Sequence, residues 1–185
     1  MRLHAGDLTP TLRVDDAFGV PVEIPRAGSR LLLLSFFRNA GCAICNLRLA
    51  HLIDRFPTYD RAGLDAVAVF ELSPERVRQQ LAGRNVPFPV VADPDASLYD
   101  RYGVETSAEK VAATMRRPDT QAIARAAAAA GFSLAHEAGS NFDRIPADFL
   151  IDPNGVVRIA HYAEFVTDHL PFDVIEHTIG IGMAA

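Results

Sequence analysis

The stretch Leu31-Leu32-Leu33-Leu34-Ser35-Phe36-Phe37-Arg38-Asn39-Ala40-Gly41-Cys42-Ala43-Ile44-Cys45-Asn46-Leu47 decides the fold. Residues 31–37 are apolar at odd and even positions alike, with Ser35 the one exception. The run is too short for a helix and reads as a strand covered on both sides, which favours a largely parallel sheet. Arg38 to Gly41 is a polar, glycine-containing turn. Beyond it Cys45, Leu49, Leu52, Ile53 and Phe56 recur at helical spacing, and Pro57 is expected to end the helix. A Cys-x-x-Cys pair, Cys42 and Cys45, therefore stands where a buried strand passes into a helix.

Working outward, Thr11–Asp15 and Pro21–Ile24 alternate apolar and polar residues on either side of Ala17-Phe18-Gly19, which predicts an N-terminal β-hairpin. Leu64–Leu72 reads as a second buried strand. Ser73-Pro74-Glu75 then supplies an N-cap, a first-turn proline and an acid for a helix to about Leu81, with Gly83 at its end. Phe88–Ala92 is a third strand, and Ser97–Tyr102 a short helix stopped at Gly103. Residues 105–143 differ in texture: they hold the only lysine, Lys110, and an alanine-rich helix from Gln121 to Ala130. They read as a helical insertion before the late strands. Ala147–Ile151 and Val156–Tyr162 flank the turn Asp152-Pro153-Asn154-Gly155 as a hairpin, and a helix from about Pro171 to Ile179 closes the chain. The expected whole is one α/β domain over residues 1–185, a sandwich around a central mixed β-sheet.

Composition removes several function classes. The 185 residues are 49% hydrophobic and 22% charged, enough to bury a substantial core. The net charge of −5 and a pI of about 5.6 argue against nucleic acid or an anionic membrane surface as a partner. The N-terminus carries no apolar run with a cleavage site, and the longest apolar stretch is about a third of a membrane span. The expectation is a soluble, cytoplasmic protein. Two cysteines three residues apart are no disulfide scaffold, and in that compartment such a pair is redox-active or metal-binding more often than structural.

A cysteine at a helix start meets unpaired backbone N–H groups and the positive end of the helix dipole, both of which favour thiolate. Thiolate is the nucleophile toward a peroxide, a disulfide or a metal. Cys42 is expected to be the exposed, attacking member. Cys45, one turn further and on the apolar stripe, is expected to be buried and to resolve an oxidised Cys42. Arg38 would add positive charge and Asn39 a hydrogen bond. Other readings of the pair remain: a structural disulfide, although so short a loop gains least; a zinc site, although it lacks further ligands; a Cys–His hydrolase using His136 or His161; or two inert buried thiols.

The segment from Phe37 to Leu47 resembles the strand–CxxC–helix of thioredoxin-fold proteins. It is closest to the peroxiredoxin-like branch of the alkyl hydroperoxide reductase/thiol-specific antioxidant superfamily, in which an Arg stands four before the first Cys and Asn-Leu follows the second. Gly6-Asp7-Leu8, Phe88-Pro89-Val90-Val91-Ala92-Asp93, Leu98 to Val104, and Ile145 to Asp152 with Gly155 are similar to further segments of that family. The resemblance implies a thioredoxin-like three-layer sandwich. It also implies an antioxidant oxidoreductase that reduces a peroxide or a disulfide and is recycled by an external dithiol of the thioredoxin or glutaredoxin type. It calls for no cofactor and no metal, and it leaves a homodimer or a non-catalytic redox sensor open. Pro146 matches the position of a cis-proline beside the CxxC, from which Ile145 would offer backbone groups to substrate. The chain departs from peroxiredoxins proper in having Ser35 and Asn39 where they carry Pro and Thr. It departs from thioredoxins proper in lacking Trp and the proline inside the motif.

Overall fold

Neighbouring residues of a strand face opposite sides of its sheet, so the apolar run at 31–36 needs cover above and below. The computed structural model describes residues 1–26, 28, 30–39, 41–134 and 141–181, and it supplies that cover. β1 (Leu12–Asp15) and β2 (Pro21–Ile24) form the antiparallel N-terminal hairpin. Then follow β3 (Leu31–Phe36), α1 (Ala43–Arg61), β4 (Leu64–Phe70), α2 (Pro74–Leu81), β5 (Val90–Ala92) and α3 (Ser97–Arg101). α4 (Ala108–Met115) and α5 (Pro118–Ala129) come next, then β6 (Ala147–Ile151), β7 (Val157–Tyr162) and α6 (Phe172–Thr178).

The main sheet has the order β5-β4-β3-β6-β7, with β3, β4 and β5 parallel and β6 and β7 antiparallel to their neighbours. β3 is its central strand. Alternation along the strands sorts the core into two layers. Leu33, Ala66, Ala68 and Leu150 face Leu49, Leu52 and Phe56 of α1, Val77 of α2 and Ile175 of α6. Leu32, Leu34, Phe36, Val67, Val69 and Phe149 face the hairpin and Leu98, Tyr99 and Tyr102. The result is the mixed-sheet α/β sandwich that the strand pattern predicts.

Two local readings are corrected. Helix α1 does not stop at Pro57 but continues to Arg61. An interior proline costs roughly 3 kcal/mol, and the last turn is held against it by two anchors. Buried Tyr59 donates to Glu176 Oε1 at 3.0 Å, and Asp60 takes an ion pair from Arg30 at 2.6 Å. Within the helical insertion expected over residues 105–143, α4 precedes the alanine-rich helix, whose start lies at Pro118 rather than Gln121. Ser107 is the N-cap of α4, accepting from the Lys110 N–H at 3.2 Å.

One charged residue lies inside the helix-covered layer. Asp148 of β6 is opposite Ser35 of β3 in the ladder and is fully buried. Its carboxylate accepts from Ser35 Oγ at 2.6 Å and from the Leu170 N–H at 2.7 Å, and it lies 3.0 Å from His169 Nδ1. Arg48 of α1 completes the cluster by donating to the Leu170 carbonyl at 2.6 Å. Burial alone would push the Asp148 carboxyl up. His169, Arg48 and the Ser35 hydroxyl outweigh it and hold the group well below the ordinary carboxylate range. Because the folded value is depressed, the stabilisation is complete above the unfolded value of about 3.9 and is lost as pH falls below it. Asp148→Asn is therefore expected to lower unfolding stability by about 3–5 kcal/mol at pH 7 and to flatten the loss between pH 4 and 3. Urea unfolding across that pH series tests this, and equal stability of the two proteins at pH 7 would refute it.

Candidate active site

The backbone leaves β3 with Phe37 still tied to the sheet. Its N–H donates to the Val69 carbonyl at 2.9 Å, and Tyr99 Oη donates to the Phe37 carbonyl at 2.7 Å. This fixes where the next residues emerge. Arg38 and Asn39 are both buried, and Cys42 is the N-cap of α1, with φ −83° and ψ 117°. An N-cap side chain sits over the unpaired N–H groups of the first turn, and that turn carries no acid to compete with a thiolate there. The helix is bolted at the same point, since Asn46 Nδ2 donates to the Cys42 carbonyl at 3.1 Å and Asn46 Oδ1 accepts from Arg84 Nη1 at 2.8 Å.

Both cysteines are free thiols. The Cys42 thiol is lowered to about 6, first by a hydrogen bond from the Cys45 thiol and, against the opposing effect of burial, further by the Cys45 backbone N–H and by Arg38. Arg38 Nη1 lies 3.7 Å from Cys42 Sγ. The Cys45 thiol is raised, because it gives its hydrogen to Cys42 and is itself fully buried. The opposite shifts belong to one coupled pair and favour a thiolate at Cys42 beside a thiol at Cys45.

The expected exposure of Cys42 is not found: it is only 2% exposed. The segment between α3 and β6 covers it. Cys42 lines an apolar pocket of about 350 Å³ together with Val111 and Met115 of α4, Ala124 of α5, and Leu134 and Phe142. The expected cis bond before Pro146 is not found either. That bond is trans, and the cis bond among the described residues is Ile24–Pro25. Pro146 stands immediately before the first residue of β6, where an extended trans backbone continues into the strand and no ladder N–H is missed. Ile145 and Cys42 belong to the same core layer. The Ile145 N–H, however, donates to the Glu105 carbonyl at 3.1 Å, and the Pro146 carbonyl accepts from Ala163 N–H at 3.2 Å. Those groups serve the fold rather than a ligand. His161 is engaged with Asp168, its Nε2 lying 2.7 Å from that carbonyl oxygen; His136 lies outside the described residues.

The partners of Arg38 and Asn39, namely Phe142, Asn141, Glu71 and Arg144, were not singled out from the sequence. Arg38 donates through Nε (2.9 Å) and Nη2 to the Phe142 carbonyl, and its guanidinium lies 5.5 Å from the centre of the Phe142 ring. The Asn39 side chain donates to the Asn141 carbonyl at 3.4 Å. Behind them Asn141 Nδ2 donates to both oxygens of Glu71, and Arg144 Nε donates to Glu71 Oε2 at 2.6 Å. Glu71 ends the apolar run of β4, and an acid in that position was the available signal.

Among the described residues no three His, Cys, Asp or Glu side chains are placed to hold a metal ion, and no helix is long and apolar enough to cross a membrane. Comparison with known proteins gives a consistent answer. A Mycobacterium tuberculosis protein provisionally named a peroxiredoxin is 21% identical over 169 residues, 91% of each chain. Peroxiredoxin Bcp of Escherichia coli K12 is 24% identical over 102 residues, 55% of this chain and 65% of that protein. The crystal structure of peroxidoxin BcpB from Mycobacterium tuberculosis superposes with a TM-score of 0.67 at 14% identity, covering 97% of this chain and 96% of that one. Residues 5–160 match the AhpC/TSA family, so the chain belongs to that family as a peroxiredoxin-like protein of thioredoxin fold.

Proposed function

We propose that this chain is a thiol peroxidase in which Cys42 attacks the peroxide and Cys45 resolves the product. The observation that carries the reading is the pairing of a depressed Cys42 thiol, at the N-cap of α1 and 3.7 Å from Arg38, with a protonated Cys45 on the next turn. The Cys42 thiolate attacks one peroxide oxygen and the O–O bond breaks. The departing alkoxide or hydroxide takes a proton, leaving Cys42 as sulfenic acid. The Cys45 sulfur then gives up its proton and attacks Cys42 Sγ, forming the Cys42–Cys45 disulfide and releasing water. An external dithiol of the thioredoxin type reduces the disulfide and becomes oxidised itself. No cofactor enters the cycle.

Arg38 serves twice in this scheme, holding the thiolate before attack and the developing negative oxygen during it. Asn39, joined to Asn141, keeps the turn ahead of Cys42 in place. The cover over Cys42 favours a small peroxide in the attacking step, and reduction of the Cys42–Cys45 disulfide by a thioredoxin-type protein requires α4 and Phe142 to move aside.

Wild-type protein is expected to consume peroxide in the presence of thioredoxin and its reductase, and Cys42→Ser to consume none. Absence of turnover in wild type, or full turnover in Cys42→Ser, would defeat the proposal. Cys45→Ser should still react once, giving a sulfenic acid detectable by mass, but should fail to form the internal disulfide. Alkylation of Cys42 should titrate with a midpoint near 6. In Arg38→Gln that midpoint should rise, with about a tenfold loss of rate below it for each pH unit gained.

A further inference from the structure

Arg38 approaches the sulfur with one nitrogen, while its other two donors are spent on one carbonyl, that of Phe142. The direction of the guanidinium is therefore set by where residues 141–144 lie. Those residues, more than a hundred positions after β3 in sequence, are held by a connected set of groups. Asn141 Oδ1 accepts from the Asp143 N–H at 3.0 Å, and its Nδ2 donates to Glu71 Oε1 and Oε2 at 3.2 and 3.3 Å. Glu71, at the end of β4, takes Arg144 Nε at 2.6 Å, the two side chains being 13% and 6% exposed. Arg144 Nη1 donates to the Val104 carbonyl at 2.8 Å, and its guanidinium lies 4.6 Å from the centre of the Tyr99 ring. Tyr99 Oη in turn donates to the carbonyls of Phe37 and Val69. The clamp thus grips the strand end from which Arg38 emerges and the loop on which Arg38 leans.

We propose that the Glu71–Arg144 ion pair, with Asn141, positions Arg38 on the Cys42 sulfur, so that Glu71, an acid, sustains the reactivity of a thiolate. The inference rests on the reading of Cys42 as the nucleophile. Its sign is what makes it distinctive. Through space alone, removing the Glu71 carboxylate takes away a negative charge and favours the thiolate. Through Arg38, the same change releases the loop, swings the guanidinium from the sulfur and disfavours it. A merely structural ion pair would change stability and leave the sulfur alone.

The discriminating variant is Glu71→Gln. Glutamine keeps one acceptor oxygen for Arg144, but its NH₂ then faces Asn141 Nδ2, donor against donor, and the link to the loop is lost. The experiment follows the pH dependence of iodoacetamide labelling of Cys42 in the reduced full chain, with mass analysis to assign the labelled residue. The expected result is a midpoint higher by about one pH unit, read as about tenfold slower labelling at pH 5. An unchanged or lowered midpoint in a folded variant overturns the proposal. Should Glu71→Gln fail to fold, Asn141→Ala leaves the ion pair intact and decides in its place: a raised midpoint supports the clamp and an unmoved one overturns it. The double variant Glu71→Gln/Arg38→Gln should label no more slowly than Arg38→Gln alone, since the clamp works only through Arg38; additive losses would overturn it. Failure here is separable from failure of the site reading. If Arg38→Gln raises the midpoint and Glu71→Gln does not, the clamp alone is wrong. If wild-type Cys42 labels as an ordinary thiol, the nucleophile assignment falls with it.

Discussion

A cysteine thiol shifted toward its charged form while its residue is only 2% exposed is the constraint around which this molecule is arranged. A buried charge with no partner is costly, and a thiol in that position simply stays protonated. The protein meets the cost with three kinds of positive potential converging from different directions: the start of α1, the Cys45 thiol and backbone N–H, and the Arg38 guanidinium. Each comes from an element whose placement depends on the sheet. Helix α1 begins where β3 ends, and the turn between them is fixed by Tyr99 from the opposite layer. The loop bearing Phe142 leads directly into β6, the antiparallel neighbour of β3. Central position in the sheet thus gives β3 two flanks, and both are used to surround one atom.

The same layer accommodates a second buried charge by the same rule. Asp148 receives Ser35 from β3, a backbone N–H from Leu170 and the nearby positive charge of Arg48 from α1. Arg48 follows Cys45 by one turn, so a single helix face serves the sulfur pair with its first turn and the carboxylate with its second. Phe172 adds to this by lying under both Arg48 and Arg55, at 3.6 and 4.2 Å from its ring centre, which ties the C-terminal segment to α1. The two charged sites are of opposite consequence. Asp148 is fully satisfied by groups of the fold, whereas Cys42 faces a pocket.

How much of this the sequence discloses follows from the range of the interactions. The strand 31–36, the Ser73 cap and the Asp152–Gly155 turn are local, decided by periodicity or by residues within one turn, and they were legible. Helix α1 past Pro57 was not, because its last turn is held by Glu176 and Arg30, remote partners that outweigh a local breaker. The cysteine pair was visible as chemistry, but the burial of Cys42 was not. It depends on chain more than seventy positions later, from which Met115, Leu134 and Phe142 line the same pocket as Cys42. The trans bond before Pro146 shows the limit of resemblance: a position can be carried over while its conformation is not.

The burial of Cys42 changes what a nucleophile there demands of the rest of the chain. An exposed N-cap thiolate could draw on water for part of its stabilisation. At 2% exposure this one draws far less on water, so the orientation of one guanidinium carries more weight than at a fully wet site. The apolar side chains that line the pocket, Val111, Met115, Leu134 and Phe142, come from the same stretch between α3 and β6 whose last residues hold Arg38 in place. Phe142 does both, its ring over the guanidinium and its carbonyl accepting from it. Cover and charge compensation are thereby one structural feature, and a change that opens the pocket through residues 141–144 also loosens the cation that the burial of Cys42 makes necessary.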